Sequence, residues 1–143
     1  MSVMVRESEI ALASPSGPLA LLRIEPDDAR ARPVVLMAHG AQGCKEPFRP
    51  LARTLAEQGW RVMVPDLRGH GASAGPRYHV EIQDWVADVL LWLDWIARQP
   101  DMLAQRVGGF GFSSGGTAVL EVAATQGRFR ALVTLDATVR PVV

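Results

Sequence analysis

Five residues restrict this chain more than any others: Gly111-Phe112-Ser113-Ser114-Gly115. An apolar run, Arg106-Val107-Gly108, leads towards them, and a helical run, Thr117 to Ala124, leads away. A serine at such a strand-to-helix corner is forced into a tight, strained turn. The residues two before and two after it must be nearly free of side chain, because strand and helix almost touch there. Gly111 and Gly115 meet that demand. The turn would hold the Ser113 hydroxyl clear of the sheet, beside the first N–H groups of the helix. Taken alone, the pattern reads either as a mount for a nucleophile or as a Gly-rich turn.

The rest of the chain supplies the sheet. Val3 to Ala13 and Leu19 to Ile24 read as strands around the turn cluster Pro15-Ser16-Gly17-Pro18, an antiparallel hairpin. Val34 to Ala38 is a continuous apolar run, as in a strand buried on both faces. It ends in His39-Gly40-Ala41-Gln42-Gly43. Pro47 to Gln58 has Phe48, Leu51 and Leu55 at helical spacing, with Gly59 as a stop. Arg61 to Pro65 is a second buried strand and opens into Asp66-Leu67-Arg68-Gly69-His70-Gly71. Glu81 to Arg98 carries an apolar stripe of Ile82, Trp85, Val86, Val89, Trp92, Leu93 and Ile96, which Pro100 ends. Arg106 to Phe112, Ser114 to Ala124 and Ala131 to Leu135 follow as strand, helix and strand, with Asp136 at the end. This alternation predicts an α/β fold: a mostly parallel sheet with crossover helices on both faces and the hairpin at its start. Right-handed crossovers put the 47–58 helix on one face and the 81–98 and 114–124 helices on the other. The loops after Ala38, Pro65 and Phe112 converge on the carboxyl edge, where ligands of such sheets gather.

Composition removes several classes. The 143 residues suit one domain, and 48% apolar content is ordinary for a globular chain, which excludes disorder. The formal net charge is zero with no long run of one sign, against nucleic acid or an anionic membrane as main partner. No apolar run reaches the length of a membrane span. Met1 to Glu9 lacks a signal-peptide core, and Cys44 is the single cysteine, so a cytoplasmic setting is expected. No His, Cys and Asp cluster has metal-ligand spacing, so neither metal nor cofactor is expected.

His39-Gly40, then Asp66 to Gly71, then Gly111 to Gly116 resemble, in order and spacing, the enzymes of the α/β-hydrolase fold. The segment Gly71-Ala72-Ser73-Ala74-Gly75-Pro76-Arg77-Tyr78-His79-Val80 and the Trp-rich helix after it are most similar to the monoacylglycerol lipase, lysophospholipase and serine-aminopeptidase-like branch. The likeness runs from about Val34 to Thr138. It implies a serine hydrolase of carboxylic esters, acting on a small acyl substrate through an acyl-enzyme on Ser113. Amide or thioester hydrolysis is the near alternative. The oxyanion hole would use the backbone N–H groups of Ala41 and Ser114. His39, Gly40, Asp66, Arg68, Gly111 and Gly115 would hold the loops, Asp66 and Arg68 by hydrogen bonds and a local ion pair.

The family order is serine, then acid, then histidine. His39, His70 and His79 all precede Ser113, and none follows it. The resemblance therefore implies that residues 1–143 form a single, truncated α/β-hydrolase domain. The later strands, the cap, the last helix and the catalytic base would be absent. Asp136 ends the strand after the nucleophile helix, whereas the usual acid lies one strand later. The expected consequence is a bare apolar edge at 131–135 and marginal stability unless the chain self-associates or meets a complementing C-terminal half. Two other readings stand beside this one. A non-catalytic remnant or half of a split hydrolase would share the fold. A dinucleotide-binding domain would use Gly109-x-Gly111-x-x-Ser114 with Asp136 as ribose-binding acid, but leaves the two upstream loops unexplained.

Overall fold

The structure, a computed structural model, describes residues 3–139. β1 (Val5–Leu12) and β2 (Leu19–Pro26) form the antiparallel hairpin, with Leu12 opposite Leu19. β3 (Arg32–Ala38), β4 (Arg61–Pro65), β5 (Met102–Phe112) and β6 (Ala131–Leu135) follow. Between them lie α1 (Arg49–Glu57), α2 (Ile82–Ala97) and α3 (Ser114–Gln126). The six strands stand in the order β1-β2-β4-β3-β5-β6. β4, β3, β5 and β6 are mutually parallel, and β2 joins β4 antiparallel. The expected architecture is therefore present, with several element boundaries shifted, two of them for a visible reason. Pro47 and Pro50 make the first turn of the 47–58 segment a 3-10 turn over Glu46–Phe48, and α1 starts only at Arg49. β5 starts at Met102 rather than at Arg106, because its pairing to β3 is irregular between Arg32 and Val34. The exposed polar residues of that irregular stretch, Gln105 and Arg106, hide the strand from an apolar-run criterion.

Alternate strand residues face opposite layers. Leu21, Leu36 and Met63 pack under α2 and α3 with Trp85, Val89, Trp92, Ala118 and Val122. Leu22, Met37, Val62 and Val64 pack under α1 with Ala52 and Ala56. The helices thus divide between the faces as right-handed crossovers require. On the α1 side, no helix among the described residues lies over β5 and β6. An apolar hollow of about 340 Å³ lies there, lined in part by Met37, Leu55, Trp60, Phe110, Leu132 and Val133. Val133 and Leu135 on the edge strand are 56% and 52% exposed. Among the described residues, no helix is long and apolar enough to cross a membrane.

The amino edge of the parallel strands is closed by one buried cation. The Arg61 side chain has no exposed surface, and its guanidinium uses several acceptors at once. Nη1 donates to Glu25 Oε1 (2.9 Å), Nη2 to Asp28 Oδ1 (3.0 Å) and to the Arg30 carbonyl (2.7 Å), and Nε to the Asp101 carbonyl (2.8 Å). It ties the β2–β3 connection to the start of β5. The Arg32 guanidinium also holds the Asp28 carboxyl well below the usual range. Removing Arg61 takes the charged donor from the Arg30 carbonyl and the Asp28 carboxylate and leaves the buried Glu25 to Arg23 (2.9 Å) and Arg6 (3.8 Å). Arg61→Ala is expected to lower the unfolding free energy by about 3–5 kcal/mol in urea titration. An effect under about 1 kcal/mol would show the cluster to be energetically idle.

Candidate active site

Ser113 occupies the corner between β5 and α3 with φ 52° and ψ −122°, a conformation that an L-residue rarely adopts. Its N–H donates to the Leu135 carbonyl of β6 (2.9 Å), and its carbonyl accepts the Thr117 N–H (3.0 Å), the first bond of α3. The flanking glycines are required by contact. A Cβ on Gly111 would stand 2.5 Å from the Gly116 Cα, and one on Gly115 would stand 2.1 Å from the His39 carbonyl oxygen. A Cβ on Gly40 would meet the Ser113 Cβ at 3.1 Å. The end of β3 therefore lies against the serine corner. The crossover from β3 runs to β4 on one side, and the crossover from β4 returns past β3 to β5 on the other, so the switch point of the sheet falls between β3 and β5.

The loop after β3 is shaped from beneath. His39 is buried, and its Nδ1 lies 2.8 Å from the Gly40 carbonyl, while its Nε2 receives the Leu67 N–H at 2.9 Å. A carbonyl can only accept and an amide N–H can only donate, so the proton sits on Nδ1. Burial, helped by His70 and Lys45, lowers the His39 pKa against the opposing effects of Gly40 and Asp66, and the ring is neutral. The Gly40 carbonyl also accepts the Gly43 N–H (3.1 Å). Across a trans peptide the Ala41 N–H must then point away from the His39 ring. Ala41 is exposed, and Ser113 and Ser114 are half-buried.

Asp66 and Arg68 have separate partners rather than one local pair. Asp66 is fully buried and accepts the Lys45 N–H (2.8 Å), the Lys45 Nζ (2.6 Å) and the Ala72 N–H (3.0 Å). Burial pulls the Lys45 ammonium down, but Asp66, Glu9 and Glu46 outweigh it and raise its pKa. Arg68 makes a two-pronged contact with Asp88 of α2, Nε to Oδ2 at 3.0 Å and Nη2 to Oδ1 at 2.6 Å. Burial still lifts the Asp88 carboxyl above its ordinary value. Asp66 thus fixes the β3 loop, and Arg68 fixes the β4 loop to α2. Lys45 and Asp88 were not singled out from sequence, although each carried a signal. Lys45 is the only lysine in a chain with 14 arginines. Asp88 is an acid on the apolar stripe of α2, three residues after Trp85 and four before Trp92.

Four non-glycine residues have positive φ among the described residues: Gln42, Tyr78, Ser113 and Asp136. Each lies in the segment after a different parallel strand, β3, β4, β5 and β6. Residues held in sparsely populated backbone regions cluster at functional sites. The strain of this chain is gathered at the carboxyl edge of the sheet.

A family model described as "Serine aminopeptidase, S33" matches residues 29–142, and the chain belongs to that family. It is 34% identical over 116 residues to the thermostable monoacylglycerol lipase of Bacillus sp. (strain H-257), a match covering 80% of this chain and 45% of the lipase. A solved hypothetical protein from Pseudomonas aeruginosa superposes with a TM-score of 0.83 at 25% identity, over 94% of this chain and 43% of that one. The α/β hydrolase GrgF from Penicillium sp. sh18 gives 0.81 at 23% identity, over 92% and 46%. The fold is that of the α/β hydrolases. The chain spans less than half the length of these relatives.

The contact between Gly115 and the β3 end sets a testable limit. Gly115→Ala must displace backbone and is expected to lower stability by about 3 kcal/mol or prevent folding. Gly108→Ala, whose added methyl would meet its first neighbour at 3.7 Å, is the control and should stay within about 1 kcal/mol. Equal urea midpoints for the two variants would contradict the contact.

Proposed function

We propose that this chain carries the nucleophile and oxyanion half of a serine hydrolase acting on carboxylic esters. The observation that carries the reading is the strained Ser113 backbone at the corner, packed against Gly40. Strain of that kind costs about 1–3 kcal/mol and persists where the surrounding structure imposes it. In the proposed reaction Ser113 Oγ attacks the acyl carbon. The Oγ–C bond forms, the carbonyl electron pair moves onto oxygen, and the hydroxyl proton passes to a base. The oxyanion would sit between the Ala41 and Ser114 N–H groups, with the positive end of α3 beside it. Collapse expels the alcohol, and water then releases the acid from the acyl-enzyme.

Neither His39 nor His70 is free to take that proton, since both ring nitrogens of each are bonded to main-chain groups. In the family order the acid and the histidine follow the serine. We therefore assign proton transfer to a complementing C-terminal half, for which the uncovered face over β5 and β6 is the packing surface. Similarity to a monoacylglycerol lipase supports an ester with one acyl chain, of monoacylglycerol or lysophospholipid type. A non-catalytic remnant is the second reading, and the full occupancy of the His39 and His70 ring nitrogens is what favours it.

Labelling by an alkyl fluorophosphonate separates the readings. With imidazole supplied as an external base, covalent modification of the wild type that Ser113→Ala abolishes is the expected result. Ser113→Gly should also lose labelling and gain about 1 kcal/mol of stability, because glycine accepts the positive φ. No labelling, with no stability gain in Ser113→Gly, would contradict a strained nucleophile.

A further inference from the structure

The loop after β3 is held at two successive peptide units by two buried imidazoles. His39 fixes the Gly40–Ala41 peptide through the Gly40 carbonyl. The next peptide, Ala41–Gln42, is fixed by a residue 28 positions away: the Gln42 N–H donates to His70 Nε2 at 2.9 Å. We infer that His70 is a positioning residue for the oxyanion loop, acting through the Gln42 amide and touching no reacting atom. The inference rests on the proposed role of the Ala41 N–H, which lies between the two clamped groups.

The tautomer follows from the partners. His70 Nδ1 lies 3.0 Å from the Arg68 carbonyl, which can only accept, so Nδ1 carries the proton. The lone pair of Nε2 is left for Gln42. His70 thus holds the same neutral tautomer as His39, and each ring joins the β4 loop to the β3 loop. The His70 ring is fully buried and cannot turn freely. Trp85 stands edge-on to it with centroids 5.2 Å apart, Tyr78 does so at 5.6 Å, and the His39 ring lies at 5.3 Å. Trp85 Nε1–H donates to the same Arg68 carbonyl at 3.2 Å, which anchors the acceptor as well.

Gln42 needs this clamp. Its φ is 62°, a conformation unfavourable to a residue with a Cβ, and its side chain is exposed. The bond to His70 offsets that strain. Without it the Gln42 N–H loses its partner, the turn relaxes, and the Ala41 N–H shifts away from Ser113. The effect on chemistry would be indirect and would fall on the rate of bond formation rather than on substrate affinity, because an oxyanion donor acts mainly in the transition state.

The test compares His70→Leu, which cannot accept the Gln42 proton, with His70→Gln, whose Oε1 can stand in for Nε2. Three readouts are taken on the full chain. The first is a through-hydrogen-bond ¹⁵N–¹⁵N coupling between Gln42 and His70 Nε2 in the wild type. The second is hydrogen exchange at the Gln42 amide. The third is the kinetics of fluorophosphonate labelling with imidazole supplied as external base, resolved into a saturating rate and a half-saturation concentration. The coupling should be present. His70→Leu should speed Gln42 exchange and lower the saturating rate about tenfold to a hundredfold, with little change in half-saturation, as for a misplaced oxyanion donor. His70→Gln should recover most of both. Absence of the coupling, unchanged Gln42 exchange in His70→Leu, or equal loss of rate in the two variants would overturn the inference. If the wild type does not label at Ser113 at all, the hydrolase reading fails instead. The coupling and the exchange still decide whether His70 holds the loop. If His70→Leu does not fold, the coupling and His70→Gln carry the decision.

Discussion

The rest of the structure depends on how closely the end of β3 approaches the corner between β5 and α3. Gly115 lies where any side chain would strike the His39 carbonyl, and Gly111 lies where any side chain would strike Gly116. That approach decides the glycine spacing, forces Ser113 into positive φ and brings the Gly40 loop to its side. Two strands meet here because the chain crosses from β3 to β4 on one side and returns past β3 to β5 on the other. The site is thus a consequence of strand order, and the motif is what strand order demands of the chain locally.

The two edges of the sheet are built on different principles. At the amino edge Arg61 gathers carboxylates and carbonyls into a buried, well-satisfied cluster. At the carboxyl edge Lys45 binds Asp66 and Arg68 binds Asp88, each tying a loop to its support, with Glu9 and Glu46 beside the first cation and Asp84 beside the second. Backbone strain falls only on the second edge among the described residues. A strained, braced rim of this kind would suit the proposed function, in which loops present main-chain N–H groups at defined positions.

The strand and helix order was legible because buried runs and amphipathic stripes differ in period, and the division of helices between faces followed from crossover handedness. The Gly-x-Ser-x-Gly corner was legible because its steric demand is local. The start of β5 was not, since Gln105 and Arg106 break its apolar pattern. Nor was the pairing at the rim. Asp66 and Arg68 are two positions apart and invite a local ion pair, yet each faces a different neighbour, and only the three-dimensional layout shows that Lys45 and Asp88 are those neighbours. The role of His70 was equally hidden. A histidine in a Gly-rich loop suggests local hydrogen bonding, and its bond to Gln42 spans two strands.

The face of β5 and β6 that faces the α1 side remains apolar and uncovered, with Val133 and Leu135 on the edge. Family membership and the strained serine corner support the acyl chemistry proposed for the carboxyl ends of the same strands. The most direct test is a crystal structure of the chain after reaction with an alkyl fluorophosphonate in the presence of imidazole as external base. The account predicts an adduct on Ser113 Oγ whose phosphoryl oxygen lies about 2.7–3.1 Å from both the Ala41 and Ser114 nitrogens. An adduct on another residue, or a phosphoryl oxygen turned away from both N–H groups, would contradict it.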